Sequence, residues 1–380
     1  MAPPVFDPGD PAIQADPYPT YARLREEAPL HHDANADVWL VSRHADVAAV
    51  LRDAQSFSNA PGPGSDPALE LIGPGDLLNL DPPRHGEVRR IVREAFTPAA
   101  VAALEPTVRA TVRELLAPLV ERGHGDLAAE LAWPLPVATI LHVLGLPAGD
   151  APDVTTLVRR LDGLDGQPAL AVLEELRAYV DEAVRRPVDG LLGAIARARA
   201  DGRLAPEETG GLVTGLLLAG TATVACLISN GLLVLREHPR QLASLRETGT
   251  VPPAAIEELL RFESPVQTLP RLATRAARMH GRDVPEGATV VLLLGSANRD
   301  HRRFERPDEL DLRRPHVRHA ALGGGIHFCI GAALARLEAR IAFAELLARV
   351  RDYAPAGAPV RIPSGAVRGL LSLPVTVAPR

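Results

Sequence analysis

The feature that most restricts the fold of this chain is a run without any charged residue, from Thr209 to Leu235. A run of this length can cross a bilayer as a helix. It carries five glycines, however, together with several threonines, Ser229 and Asn230, and it has neither aromatic belts nor the usual basic flank. A helix that is apolar on all sides is equally typical of the centre of a large soluble protein. We therefore predict a buried central helix and no membrane span.

The predicted central helix begins at Pro206 and ends before Pro239. Proline is favoured at the first helical position, and Glu207 and Glu208 complement the helix dipole in the first turn. A proline disfavours helical geometry in the residue before it, so Pro239 sets the C-terminal end of the helix. At a rise of about 1.5 Å per residue the helix is roughly 48 Å long. It would cross the whole molecule.

Helical periodicity dominates much of the remaining chain. The predicted helices are 18–27, 45–52, 84–95, 99–121, 135–144, 170–185 and 332–350. The strand-like runs are 37–42, 265–269, 289–294 and 371–377, and the segment 60–75, rich in proline and glycine, is predicted to be a long loop. The pattern predicts a mainly α fold with a smaller β-rich part, formed by residues 1–380 as one domain.

The charge and the cysteines exclude several classes of protein. The net charge of −6 leaves no basic surplus with which to neutralise phosphates, which argues against a nucleic-acid binder. Two cysteines cannot form a disulfide framework, which favours a reducing compartment. The N-terminal segment, Met1 to Pro11, lacks the apolar core of a signal peptide. We expect a cytoplasmic protein that binds neither nucleic acid nor membrane.

Cys329 lies where a glycine-rich loop meets a strongly helical segment. The loop reads Leu-Gly-Gly-Gly-Ile-His-Phe-Cys-Ile-Gly from Leu322, and its glycines allow the backbone to turn tightly against a flat group. The free N–H groups and the dipole of a helix N-terminus favour a thiolate over a thiol. Taken alone, a free cysteine is more often a small buried apolar residue. Cys226, on the central helix, is interpreted in that way.

The loop around Cys329 resembles the haem-binding loop of the cytochrome P-450 superfamily, Phe-Gly-x-Gly-x-His-x-Cys-x-Gly. The matching residues are Gly323, Gly325, His327, Cys329 and Gly331, and Leu322 stands where phenylalanine is usual. The resemblance implies a haem b with Cys329 as the axial thiolate ligand of the iron. It also implies the cytochrome P-450 fold, with the haem between the central helix and the helix that follows Cys329.

A second segment fits the same resemblance. Glu258 and Arg261 lie three residues apart and share one face of a helix, where they can form an ion pair. Such a pair on its own is common on exposed helices. In the family, a Glu-x-x-Arg pair stabilises the region under the haem together with an arginine from a later meander, here either Arg313 or Arg314.

The resemblance also implies a set of contacts to the haem propionates. His85 and Arg89 are four residues apart and face the same way, which suits a single anionic group. Arg271 and His327 match the remaining propionate contacts. Each of these side chains alone would be interpreted as an ordinary surface or core residue, and it is the set that favours the functional interpretation.

On the central helix, Ala219-Gly220-Thr221-Ala222-Thr223 resembles the family's oxygen-binding segment, Ala-Gly-x-Asp/Glu-Thr. The small residues Ala219 and Gly220 would allow close approach to a ligand on the iron, and Thr223 would offer a hydroxyl donor. Ala222 replaces the acid, and the whole uncharged run contains no substitute. Protons must therefore come through Thr223, ordered water, the substrate or another residue.

The resemblance implies a monooxygenase of secondary metabolism that inserts one oxygen atom of O2 into a small organic substrate. The chain has no flavin or nicotinamide fingerprint, so electrons are expected from a ferredoxin with its reductase or from a flavodoxin. The partner would dock near Cys329, where Arg84, Arg89, Arg90 and Arg93 offer positive charge. We expect a monomer.

Two alternatives remain open at this point. Ala222 is compatible with a nitric oxide reductase or a peroxide-dependent relative, and a non-catalytic haem protein is more remote. The resemblance places the substrate pocket in the segments 60–79, 153–178, 212–223, 265–270 and 369–373, which are aliphatic and predict a mainly apolar substrate. The candidate lining residues are Leu77, Leu78, Leu216, Val266, Leu269, Leu370 and Leu371.

Overall fold

Helices form the larger part of the computed structural model, which describes residues 6–61, 72–162, 166–186, 189–315 and 318–380. In chain order they are α1 Pro11–Ala15, α2 Tyr18–Glu27, α3 His44–Arg52, α4 Arg84–Val92, α5 Pro98–Ala103, α6 Glu105–Arg122, α7 Pro134–Leu144, α8 Ala151–Asp162, α9 Gly166–Ala183, α10 Gly190–Ala200, α11 Pro206–Glu237, α12 Pro239–Thr248, α13 Pro253–Phe262, α14 Leu294–Ala297 and α15 Ala332–Arg349. Most of the predicted loop at 60–75 lies outside the described residues.

The strands are short and form small sheets beside the helices. They are β1 Leu30–Asp33, β2 Val38–Val41, β3 Phe57–Ser58, β4 His124–Asp126, β5 Thr268–Ala273, β6 Ala277–Met279, β7 Arg282–Val284, β8 Thr289–Leu293, β9 Val350–Pro355, β10 Val360–Arg361, β11 Leu370–Ser372 and β12 Pro374–Pro379. The largest sheet has the order β1-β2-β8-β5-β3, in which β2 and β8 are parallel and the other pairs are antiparallel. The predicted mainly α fold with a smaller β part is confirmed.

The central helix α11 has the bounds that the prolines predicted. The Glu208 carboxylate accepts a hydrogen bond from the backbone N–H of Ala205 at 2.8 Å, and it also forms an ion pair with Arg84 on α4. Within the described ranges α11 is the one helix long and apolar enough to cross a membrane, yet 72% of its most apolar stretch is buried inside the protein. It therefore serves as the core helix of the fold.

Glycines on α11 bring another part of the chain against the helix backbone. A Cβ atom on Gly211 would overlap the carbonyl oxygen of Pro74, and one on Gly215 would overlap the carboxylate of Asp76. Gly211 and Gly215 are four residues apart, so their bare faces are stacked along one side of the helix. The segment that carries Leu77 and Leu78 is thereby held on the same side of α11.

Two predicted elements are divided in the structure. The helix predicted at 99–121 is two helices, α5 and α6, because Pro106 has no N–H with which to continue the first one and instead occupies the first turn of the second. The strand predicted at 371–377 is β11 and β12, which belong to different sheets. Between them, Leu373 exchanges hydrogen bonds with Asp126 and Leu127 in place of a continuous ladder.

Replacement of Gly211 by alanine is expected to lower the free energy of unfolding of the haem-loaded protein by about 1 to 3 kcal/mol, because the added methyl group displaces the backbone at Pro74. The matched control is Gly86→Ala on α4, where a Cβ would meet no atom within 4 Å. Alanine favours a helix over glycine by about 0.5 to 1 kcal/mol, so the control should be stabilised. Denaturant unfolding measures both, and equal effects would contradict the tight contact.

Candidate functional site

The loop before α15 is shaped by its glycines. Gly323 and Gly325 have φ values of 69° and 62°, a left-handed conformation that favours glycine. A Cβ on Gly325 would also overlap the carbonyl oxygen of Leu51 on α3. The backbone N–H of Cys329 donates to the carbonyl of Leu322 at 3.0 Å, which closes the loop into a compact turn. A Cβ on Gly331 would meet no atom within 4 Å, so that face of the loop is open.

Cys329 is half-buried, and several neighbouring groups act on its thiol. Burial raises the pKa of the Cys329 thiol, whereas the backbone N–H of Gly331 and the charges of Arg89 and Arg336 act in the opposite direction. The backbone N–H at the helix N-terminus therefore acts in the predicted direction, but desolvation of the charged form outweighs it when no metal is bound. A coordinating metal deprotonates such a thiol outright.

Four cationic or potentially cationic side chains meet beside this loop. The rings of His85 and His327 lie with their centroids 4.2 Å apart, and the Nε2 atoms of both are buried without a hydrogen-bond partner. Burial, followed by the charges of His85 and Arg271, lowers the pKa of His327 to about 4. Burial lowers the pKa of Arg271 to about 10, against the attraction of Asp81.

The two arginines of this cluster have only backbone partners. Arg89 donates to the carbonyl of Phe328 at 2.7 Å, and Arg271 donates to the carbonyl of Pro270 at 2.7 Å. Neither forms an ion pair within the part of the chain that the structure describes. Buried cations are ordinarily paired, so this arrangement fits an anionic group such as the two propionates of a haem. The residues predicted from the family resemblance are thus brought together.

The helix α11 has small residues at its least buried point. Ala219 is exposed and Ala222 and Thr223 are half-buried, although the helix around them is buried. The Thr223 hydroxyl donates to the carbonyl of Ala219 at 2.8 Å, the local bond that an ordinary helical threonine makes. Gly220 has a different surrounding from the one expected, because its missing Cβ would point at Ile140 of α7, 3.2 Å away. Its small size serves helix packing.

A buried ion-pair network lies at the end of α13. Arg261 donates to both carboxylate oxygens of Glu258 at 2.7 Å, and both side chains are 2% exposed. Arg314 completes the network with its Nε atom 3.0 Å from Glu258, while Arg313 is exposed. Arg261 and Arg314 also donate to the carbonyl of Glu309. Of the two candidates, it is therefore Arg314 that joins the network. These bonds attach the segment 304–314, which corresponds to the predicted meander, to α13.

Sequence reasoning missed a second pair next to the first. Glu257 accepts two hydrogen bonds from Arg336 of α15, at 2.6 and 2.9 Å, and lies 3.2 Å from His319. Burial alone would raise the pKa of Glu257, but His319 and Arg336 lower it to about 2. Arg336 is seven residues after Cys329 and acts on it electrostatically, so this pair supports the cysteine side of the site.

Glu338 was also missed. It lies on the buried face of α15 and is 1% exposed, with Oε2 lacking a partner and Thr139 of α7 beside the carboxyl group. Burial raises its pKa to about 8. The sequence did contain a signal, because Glu338 falls on the apolar stripe formed by Leu334, Leu337 and Ile341.

The candidate pocket residues have unequal exposure. Leu78 is 52% exposed, while Val266, Leu269 and Leu371 are half-buried. Leu77, Leu216 and Leu370 are buried. The carbonyl of Leu370 accepts a hydrogen bond from the indole of Trp133 at 2.9 Å, so this residue is part of the core. Part of the segment 60–79 lies outside the described residues, and the predicted lining role of these side chains stays a prediction.

A mainly α fold, a cysteine in a glycine loop before a helix, and an anion-binding cluster beside it define the class of haem-thiolate proteins. Comparison with known proteins agrees with this. The family model for Cytochrome P450 matches residues 250–375. The chain is 39% identical over 398 residues to "Cytochrome P450 monooxygenase PikC" of Streptomyces venezuelae, covering 98% of this chain and 94% of that protein. It is 35% identical over 356 residues to "Cyclomarin C epoxidase CymV" of Salinispora arenicola, covering 89% of each.

A solved structure extends the similarity to the fold. The crystal structure of CalO2 has a TM-score of 0.89 to this chain at 35% identity and covers 99% of both chains. The chain therefore belongs to the cytochrome P450 family, and it is an oxidoreductase of the monooxygenase type. Members of this family hold a haem through a cysteine thiolate.

Replacement of Arg314 by alanine is expected to lower the free energy of unfolding by about 1.5 to 3 kcal/mol, because Glu258 loses one of its two arginine partners and keeps Arg261. Weaker haem retention should accompany the loss. The neighbouring exposed Arg313→Ala is the control and should change stability by less than about 0.5 kcal/mol. Denaturant unfolding and the haem content after dialysis measure the two effects. Similar losses of unfolding free energy and haem content in both variants would contradict the role of Arg314 in the network.

The raised pKa of Glu338 predicts that the free energy of unfolding falls as the pH rises. An acid with a raised pKa in the folded state contributes its full stability below its unfolded pKa, and that contribution is lost as the pH rises towards about 8. Glu338→Gln should remove this dependence and stabilise the protein at pH 8, by an amount on the order of a few kcal/mol. Unfolding profiles between pH 5 and pH 8 measure it, and the exposed Glu114→Gln should leave the wild-type profile unchanged. If the profile of Glu338→Gln ran parallel to that of the wild type, Glu338 would not be the source of the pH dependence.

Proposed function

We propose that this enzyme inserts one oxygen atom of O2 into a small organic substrate of secondary metabolism, with residues 1–380 acting as one haem-binding domain in a cytoplasmic monomer. The observation that carries the proposal is the loop of Cys329 beside four side chains that lack anionic partners within the described ranges. The names of the relatives, a monooxygenase and an epoxidase of cyclomarin C, support oxygen insertion into secondary metabolites.

The residues present suit a haem b. Cys329 would supply the thiolate ligand, and His85, Arg89, Arg271 and His327 would hold the propionates through charge-assisted hydrogen bonds. When bound, the haem supplies the activation of dioxygen. The network around Glu258 keeps the meander in place below the loop. Leu322, in place of the usual phenylalanine, packs against the main core.

Proton supply is the step in which this chain departs from the family pattern. Ala222 offers no carboxylate, and the uncharged run around it contains none. The Thr223 hydroxyl uses its proton on the carbonyl of Ala219, which leaves its oxygen lone pairs free to accept from a donor in the cleft. We propose that Thr223 accepts a hydrogen bond from the proton donor, a water or a group on the substrate, and so holds that donor in place in the cleft.

The electron donor is proposed to be a ferredoxin with its reductase or a flavodoxin, docked near Cys329. Of the four arginines considered, Arg84 is neutralised by Glu87 and Glu208. Arg89 is engaged with the loop backbone. Arg90 and Arg93 are exposed. They are therefore the positive charges proposed to face an acidic partner.

The test combines a spectrum with a product. The reduced, CO-bound protein should show the red-shifted band of thiolate haem, which Cys329→His should lose and Cys226→Ala should keep. With ferredoxin, reductase and labelled O2, a substrate found by its haem spin shift should gain one labelled atom.

Turnover of NO with NADH and without ferredoxin would instead establish a nitric oxide reductase, as Ala222 allows. Product that forms with unlabelled peroxide and carries no label from O2 would establish a peroxide-dependent enzyme. The absence of turnover under all of these conditions would establish a non-catalytic protein.

A further inference from the structure

Arg159 is a cation without an acidic partner, located between α8 and the C-terminal strand β11. Its Nη2 atom donates to the carbonyl of Leu371 at 2.9 Å, and its Nε atom is buried with no partner. The described residues place no carboxylate within ion-pair distance of it. The next residue behaves differently, since Arg160 is exposed and pairs with Glu175 at 3.1 Å.

Other buried arginines with an unpartnered nitrogen have an acid nearby. Arg25 lies close to Asp300, Arg246 pairs with Asp352 at 3.1 Å, and Arg361 approaches Glu263 at 4.0 Å. Arg159 has no such neighbour in the described part of the chain. Its pattern matches that of Arg89 and Arg271, whose guanidinium groups also donate only to backbone carbonyls and which are assigned to an anionic group.

Arg159 lies beside segments that the family resemblance assigns to the pocket. Its partner Leu371 is half-buried and follows a segment that is fixed to the central helix, because Asn230 donates to the carbonyl of Arg368 at 2.8 Å. The helix α8 packs against the same central helix, which carries Ala219 and Thr223 at its exposed point. Arg159 therefore lies where two segments that the family resemblance assigns to the pocket come together.

We infer that Arg159 binds an anionic group of the substrate, so that the substrate is an apolar molecule bearing a carboxylate. A guanidinium offers several N–H donors to a carboxylate. Because Nε is buried and Nη2 is bonded to Leu371, Nη1 is the donor of Arg159 that remains for the ligand. The aliphatic lining would hold the apolar body, and the acid would lie at Arg159. The inference rests on the proposed function, and it narrows the mainly apolar substrate to an amphipathic acid.

The haem spin shift on ligand binding provides a test that does not depend on turnover. The probes are octanoic, dodecanoic, hexadecanoic and 3-phenylpropionic acids, each beside its own methyl ester. A charge-assisted hydrogen bond contributes about 1.5 to 3 kcal/mol, so the wild type should bind at least one acid about 10- to 100-fold more tightly than its ester. Arg159→Leu should abolish this preference, and the adjacent Arg160→Leu should retain it.

A second variant separates recognition from a purely structural role. Arg159→Gln can still donate to the carbonyl of Leu371 but carries no charge. Binding of the acid should fall in this variant while binding of the ester stays at the wild-type level. The inference is overturned if the wild type shows no acid preference, if either variant at position 159 keeps it, or if acid and ester binding fall equally. An intact CO band and labelled product in any of those cases would leave the proposed function standing.

Discussion

The central helix α11 must be covered on every side, because none of its faces carries a charge between its two ends. That requirement organises the surrounding chain. Helices α7, α9 and α15 pack against it, and its glycines admit neighbours at backbone distance, such as the segment at Pro74 against Gly211. The exposed point around Ala219 is the exception, and it coincides with the predicted oxygen site. A helix that is buried along most of its uncharged run, with its main opening at the predicted oxygen site, would provide a rigid wall for the chemistry.

Charge pairing separates the supporting residues from the binding residues. Around Glu258, buried charges are satisfied by one another and by backbone carbonyls, so Arg261 and Arg314 fasten the meander. Beside Cys329, four cationic or potentially cationic side chains meet, and among the described residues Asp81 is the acid that acts on His85, Arg271 and His327. The first arrangement is complete within the protein, and the second is the one proposed to be completed by an anion. Arg159 belongs to the second kind, and this distinction underlies its proposed role in substrate recognition.

Much of the fold could be predicted, because helix periodicity and proline punctuation are local properties. The bounds of α2 and α11 were predicted correctly. The division of α5 from α6 was readable at Pro106 but was missed. The helices α8 and α10 were not predicted. The strands β11 and β12 were predicted as one strand, because the break at Leu373 depends on a hydrogen bond to Asp126, nearly 250 positions earlier.

The sequence by itself determined the cysteine loop and its glycines, because these signals lie in a short contiguous motif whose spacing is fixed by local backbone geometry. Through the family resemblance it also predicted the residues proposed to contact the haem. Tertiary structure decided which charges remain unpaired. It selected Arg314 over Arg313, assigned Gly220 to packing against Ile140, neutralised Arg84 and left Arg159 without an acid. Such outcomes depend on which distant side chains meet and on how far each is removed from water, and a linear sequence specifies neither directly.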